Sequence, residues 1–339
     1  MARKTIVRVE PSKSQASLLI ERGNLAVSPS RHSLFKQLRK TAKSVEIEGT
    51  TYFVVEGDLL LDADELYFYA LARERQERER QTRSMLELVG MASERLPEGE
   101  SSGLLGILQG GNLVRWDEGK TLTYCVLRSK FADVEKYRSV VENMRKAADD
   151  WESICGVRFE HRERLDGSRT LRPKGVVFTV RELNTGGALI AAAFFPNDPA
   201  ARRRLIIDPS YYDPKLQFNK VGVLRHELGH VLGFRHEHIR SGAPPECPSE
   251  DTANTFEFTR YDPRSVMHYF CGGVGNPELA FTRFDRIGAR QLYGPPASGK
   301  RQAGFAAFEM SAAARESVGV ESPSWEALFP RPSRIAFVR

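Results

Sequence analysis

His226-Glu227-Leu228-Gly229-His230-Val231-Leu232-Gly233-Phe234-Arg235-His236 is the stretch around which the rest of the chain can be organised. Val221 to Leu232 has helical character, and residues four apart on a helix share a face, so His226 and His230 can point two imidazoles at one ion. Glu227 is turned about 100° further round the axis, which makes it a neighbour of that ion and not a ligand. Gly233 tolerates the left-handed conformation that ends a helix and reverses the chain. After such a turn His236 can return as a third ligand. Three neutral imidazoles with one open position fit one catalytic zinc ion better than a closed structural site. The competing reading is a helical histidine cluster satisfied by hydrogen bonds alone. Adding Gly233 and His236 to the shorter His-x-x-x-His pattern, with five of the seven histidines between 226 and 268, favours the metal.

Working outward, Thr121 to Leu127 reads as a strand, and Val134 to Ile154 as a long amphipathic helix with apolar residues at Val140, Val141, Met144, Ala147, Ala148 and Trp151. Val157–Phe159, Val176–Val180, Ala188–Phe195 and Leu205–Ile207 read as further strands. This order predicts an α+β fold, a twisted mixed sheet with helices packed on it. Upstream, Val45 to Leu61 reads as two strands joined by a tight turn, with a short helical pattern before it at Leu34, Leu38 and Ala42. A helix follows from about Asp62 and runs into the mixed-charge run Arg73–Arg80. Residues 97–112, rich in Gly, Ser and Pro, look like a linker. A further helix is expected over Phe305 to Ala314.

The 339 residues are 41% hydrophobic and 28% charged, which excludes disordered, collagen-like and coiled-coil classes for most of the length. The net charge of +6 comes from 50 basic against 44 acidic residues, too evenly mixed for a nucleic-acid partner to be expected. Its one compact basic cluster, Arg202-Arg203-Arg204, precedes an apolar run and reads as a solvated strand edge or turn. No apolar stretch approaches the roughly 20 residues of a membrane span. Met1 to Glu10 lacks the apolar core of a signal peptide. The four cysteines form no CxxC pair, and their wide spacing suits two disulfides, Cys125–Cys155 and Cys247–Cys271, with reduced buried thiols as the alternative. Disulfides point to an exported, extracellular protein despite that N-terminus, with the cytoplasm as the alternative.

Ser265-Val266-Met267-His268-Tyr269 follows the third histidine by about thirty residues. The long zinc motif with this downstream methionine resembles the metzincin metallopeptidases. More narrowly, Gly233 to Arg240 and Ser265 to Tyr269 are similar to the astacin branch, while Ala188–Phe195 and Leu205–Asp208 are similar to the matrixin branch. The resemblance covers about residues 113–294. It implies a metzincin-type catalytic domain with a five-stranded mixed sheet, a long active-site helix and a Met-turn, in which Met267 lies beneath the zinc. It also implies Tyr269 as a detachable fifth ligand that stabilises the transition state, and Glu237 as the acid that meets a new N-terminus in mature astacins. The sequence departs from the astacin pattern after Arg240, where Ser241-Gly242-Ala243 replaces the usual acids. His238 and His268 are expected to be structural or surface residues.

The activity implied is hydrolysis of internal peptide bonds in a protein or peptide substrate, with Glu227 as general base for a zinc-activated water. Val54-Val55-Glu56-Gly57-Asp58-Leu59 resembles the astacin propeptide motif whose aspartate blocks the zinc, which makes Asp58 a candidate zymogen switch and implies an activating protease. Glu-Gly-Asp is equally good chemistry for a plain β-turn. The expected organisation is a basic segment 1–44, a propeptide-like segment with linker 45–107, a catalytic domain 108–295 and a tail 296–339. A non-catalytic zinc-stabilised binding protein is the rival from another class, and Glu227 argues against it.

Overall fold

The computed structural model describes residues 33–88, 104–247, 252 and 254–297. The described residues all lie within residues 1–300, and the expected Phe305–Ala314 helix lies outside them. The described chain opens with α1 (Ser33–Thr41), strands β1 (Ser44–Ile47), β2 (Thr50–Val55) and β3 (Leu59–Leu61), and α2 (Ala63–Leu88). The three strands form an antiparallel sheet in the order β1-β2-β3, one strand more than the sequence suggested. Phe35, Phe53, Val55, Leu66 and Ala70 give this segment a small core of its own. Asp62 starts α2 by accepting from the backbone of Asp64 and Glu65, while Glu65 accepts from the Asp62 N–H, so both partners satisfy otherwise orphaned donors.

The main sheet comes next. Strands β6 (Thr121–Val126), β7 (Arg158–His161), β8 (Phe178–Glu182), β9 (Ala191–Ala192) and β10 (Arg204–Ile207) lie in the order β7-β6-β8-β10-β9. Four are parallel, and the edge strand β9 is antiparallel to β10, with Ile206 opposite Ala192. The apolar run Ala188–Phe195 is therefore a strand over only two residues; its remaining side chains fill the core or line a cavity. One face of the sheet carries α3 (Val134–Ile154), started by the Asp133 carboxylate accepting from Lys136 N. Val140, Met144, Ala147, Trp151 and Ile154, spaced three and four apart, bury the stripe of α3 that meets the sheet and α4 (Lys220–Val231). Trp151 locks the two helices together, donating from its indole nitrogen to Arg225 O at 2.8 Å and stacking on Phe234. Full burial of that ring makes it one of the largest contributors to the core.

A second small sheet frames the other end of α4. Strand β4 (Leu105–Gln109) pairs with β5 (Asn112–Leu113), β11 (Phe234–Arg235) and β12 (Thr255–Glu257), and α5 (Arg283–Tyr293) closes the described chain. The glycine-rich stretch expected to be a linker is thus a hairpin from residue 105 onward, and Leu104 sits fully buried in the main core. Residues 104–107 belong structurally with the main sheet and its helices. Among the described residues no helix is long and apolar enough to cross a membrane.

Cys247 and Cys271 form a disulfide, whereas Cys125 and Cys155 are free and buried, which corrects the expected second bridge. Strand alternation explains it. Leu122, Tyr124 and Val126 point into the core that also holds Cys155, so Cys125, between them, points to the opposite face of the sheet. Burial pushes both thiols up to about 12, leaving them unreactive. The unreduced, denatured protein is expected to titrate two thiols and the reduced protein four. Cys271→Ser should cost about 3 kcal/mol, the loop-closure value for a loop of this size, read from the shift in chemical denaturation.

Candidate active site

Helix α4 begins where the Asn219 side chain accepts from Gly222 N at 3.0 Å. It ends where Gly233 adopts φ +95° with its α-carbon so close to the chain that a Cβ would stand 2.6 Å from Val114 O. Only glycine fits that reversal. Beyond it β11 carries His236 back to the helix. His226, His230 and His236 are all buried and their rings lie edge to face or stacked, with centroids 4.7–5.3 Å apart.

Asp58 completes the group. Glu56, Gly57 and Asp58 form the tip of the β2–β3 hairpin, with Val55 paired to Leu59 across its base. Glu56 at φ +56° and Gly57 at φ +97° make the turn tight enough to aim Asp58 at the histidines. The two readings of this stretch, turn and carboxylate directed at the histidines, are therefore one structure. Asp58 Oδ2 lies 3.3 Å from His226 Nε2 and 3.7 Å from His230 Nε2, and Oδ1 lies 3.1 Å from His236 Nε2. His230 Nε2 and His236 Nε2 are 3.1 Å apart. Ligands about 2.0–2.1 Å from a tetrahedral zinc stand about 3.3 Å from one another, so the four side chains fit one such ion. His226 Nε2 and Asp58 Oδ1 have no hydrogen-bond partner although buried, as donor atoms for a metal would. Burial would raise the pKa of Asp58, but the charge on His236 and the three imidazoles around the carboxylate hold it well below the usual carboxylate range.

Glu227 stands beside this group and outside it, buried, with Oε2 unpartnered and a hydrogen bond from Ala193 N. Burial first, then the charge of Asp58, push its pKa well up. Tyr269 stacks on His226 and His238, at 5.4 and 4.7 Å, and bonds to Asp58. Burial and then the charges of Asp58 and Glu227 raise its hydroxyl well above the ordinary value. A Cβ on Gly57 would meet the Tyr269 ring at 2.8 Å, so only a glycine lets the hairpin tip come this close.

Met267 is fully buried against Gly229 on α4, in a turn closed by His268 N donating to Ser265 O. Asp285, which sequence reasoning passed over, fixes that turn by accepting from Ser265 Oγ at 2.6 Å and Val266 N at 3.0 Å. Its legible signal was the capping box with Thr282 at the start of α5. His238 and His268 lie outside the four-residue group. His268 bonds Tyr261, and His238 Nδ1 accepts from Tyr269 N. Glu237 takes Arg240 and the Asp262 N–H on one oxygen, each at 2.8 Å. Arg240 reaches Glu257 as its second acid, so Glu237 and Glu257 occupy the role left open by Ser241 to Ala243.

A cavity of about 460 Å³ opens beside His226 and Glu227. Ile190, Ala191, Phe218, Val223 and Leu279 line it, and Gly57 and Asp58 of the hairpin tip border it.

Residues 115–243 match the Peptidase_M10 family model, described as matrixin. The zinc metalloproteinase nas-3 of Caenorhabditis elegans is 33% identical over 90 residues, which are 24% of this chain and 30% of that protein. The chain thus matches under a third of that relative's length. Among solved structures, myroilysin is 15% identical with a TM-score of 0.40, covering 56% of this chain and 98% of its own. The hatching enzyme zinc-protease HCE-1 of the medaka Oryzias latipes is 17% identical with a TM-score of 0.35, covering 54% and 95%.

Proposed function

We propose that this chain, whose residues 115–243 form a metzincin-type metallopeptidase segment, is a zinc-dependent endopeptidase cleaving internal peptide bonds, held latent by residues 33–88. The convergence of three buried imidazole nitrogens beside a buried carboxylate that is not one of the ligand group supports this most directly. His226, His230 and His236 would hold the ion, which when bound supplies a Lewis acid for the scissile carbonyl and lowers the pKa of water toward ~7. Glu227 takes a proton from the attacking water and delivers it to the departing amine. Withdrawal of Asp58 removes one of the two causes that keep Glu227 protonated, so unblocking the site also restores its base. The same withdrawal frees the Tyr269 hydroxyl to donate to the oxyanion. Met267 serves as the apolar floor under the histidines.

Strand β9 ends the main sheet, so its outer edge can pair with an extended peptide whatever its sequence. The side chain following the scissile bond then enters the apolar cavity beside Glu227. The substrate class is protein or extended peptide with a bulky apolar residue at that position. The Cys247–Cys271 bridge supports an oxidising, extracellular compartment over the cytoplasm.

Purified chain, cut between residues 88 and 104 by an activating protease such as trypsin, should hydrolyse casein and lose that activity to a chelator. In a peptide library, Leu or Phe after the scissile bond should exceed Asp or Lys by about 10–200-fold in kcat/KM. Bound zinc without hydrolysis in any state would instead identify a zinc-stabilised binding protein.

A further inference from the structure

The three imidazoles are oriented from two different sources. His226 donates from Nδ1 to Val266 O and His230 from Nδ1 to Phe234 O, both at 2.8 Å. These carbonyls belong to the same part of the chain as the histidines. His236 instead donates from Nδ1 to Glu56 Oε2 at 3.0 Å, a carboxylate 180 residues upstream on the hairpin tip. The Glu56 side chain is only 1% exposed, and its other oxygen has no hydrogen-bond partner, with Arg235 Nη2 3.7 Å away. Its backbone also holds the left-handed φ of +56°, which a non-glycine residue adopts only at a cost. A turn residue with no further task would be Gly or Asn here and would leave its side chain in water. This one is buried against a metal-binding imidazole.

We propose that Glu56 is a positioning residue for the metal: it holds His236 with Nδ1 protonated and Nε2 free to bind, and so makes the uncleaved chain retain zinc more tightly than the cleaved one. A carboxylate on the far nitrogen fixes the tautomer and ring orientation and raises ligand basicity, an effect whose loss typically costs 10–100-fold in metal affinity. The hairpin tip thereby does two separate things, Asp58 closing the open position and Glu56 supporting a ligand from behind. When residues up to the cut depart, His226 and His230 keep their carbonyl partners and His236 loses its own. The inference rests on the zinc-peptidase reading of the same site.

Zinc transfer from the full, uncleaved, zinc-loaded chain to a chromogenic chelator tests it. Glu56→Ala should release zinc with an affinity weakened about 10–100-fold. Glu56→Gln, which keeps the shape and an accepting oxygen, should fall between it and the wild type and covers the case in which the alanine variant misfolds. The visible spectrum of the cobalt-loaded uncleaved Glu56→Gln chain should shift toward that of the cleaved wild type. After cutting and removal of the segment, all three chains should release zinc identically, because position 56 has gone. Unchanged release from the uncleaved variants, or a defect that persists after the segment is removed, overturns the proposal. A chain that holds zinc but releases it unchanged overturns this inference alone; one that holds no zinc in any form overturns the peptidase reading with it.

Discussion

Glu227→Gln in the cut chain is expected to lower kcat by about 10²–10⁴-fold while zinc content stays at one per chain. The argument is positional. Helix geometry sets Glu227 one residue beyond His226, so its carboxylate flanks the ligand atoms instead of joining them. Its surroundings are buried, and the Ala193 N–H fixes one side of the group. The glutamine is isosteric and can accept that hydrogen bond, but it cannot take a proton. Stability should change little, since no ion pair is broken and Oε2 already lacks a hydrogen-bond partner. Steady-state kinetics and atomic absorption on the same sample separate the outcomes. Loss of metal in step with loss of turnover would make Glu227 a ligand and sink the base assignment.

Asp58→Ala in the uncut chain carries the opposite expectation: activity rises. Removing one partner from a buried, hydrogen-bonded charge cluster costs about 3–5 kcal/mol. Spent on docking of the hairpin tip, that is a factor of roughly 10²–10⁴ in the population of chains whose tip has withdrawn. Withdrawal is needed because the tip also fills space, with Gly57 packed on the Tyr269 ring. The increase should be measured with a short peptide before and after cutting, and the cut forms of variant and wild type should be equal. An uncut variant as silent as the wild type would mean that Asp58 is a turn residue and that latency resides elsewhere on residues 33–88.

What could be read from the chain divides by the range of the interaction. Helix α3 coincides with Val134–Ile154 because its boundaries are local: an Asp at the N-cap and an apolar stripe every three or four residues. The reversal at Gly233 was legible for the same reason, since only a positive φ with a close backbone neighbour requires that residue. Strand β4 was not legible because its pairing partners, Phe234–Arg235 and Thr255–Glu257, lie more than a hundred residues away and Gly103, Gly110 and Gly111 flank it. Ala188–Phe195 was over-read as a strand because an apolar run fits a cavity wall as well as a sheet. The free thiols turned on which face of β6 each side chain takes, which cysteine spacing does not record. The role of Glu56 is not legible locally, since nothing in the sequence around it announces that a turn glutamate will meet a histidine 180 residues on.

The way residues 33–88 are seated bears on handling. Val45, Ile47 and Tyr52 cover Ile206 on the outer face of the main sheet. Around that spot Glu48 pairs with Arg172 and Arg181, Asp62 and Glu65 pair with Arg202, and the Tyr52 ring lies against Arg202 and Arg204. A chain freed of the segment carries these arginines without their counter-charges, encircling a bare isoleucine. It should adhere to acidic contaminants through that patch and precipitate at lower concentration than its latent parent. The latent form is the one to purify and store, with cutting left until the day of use.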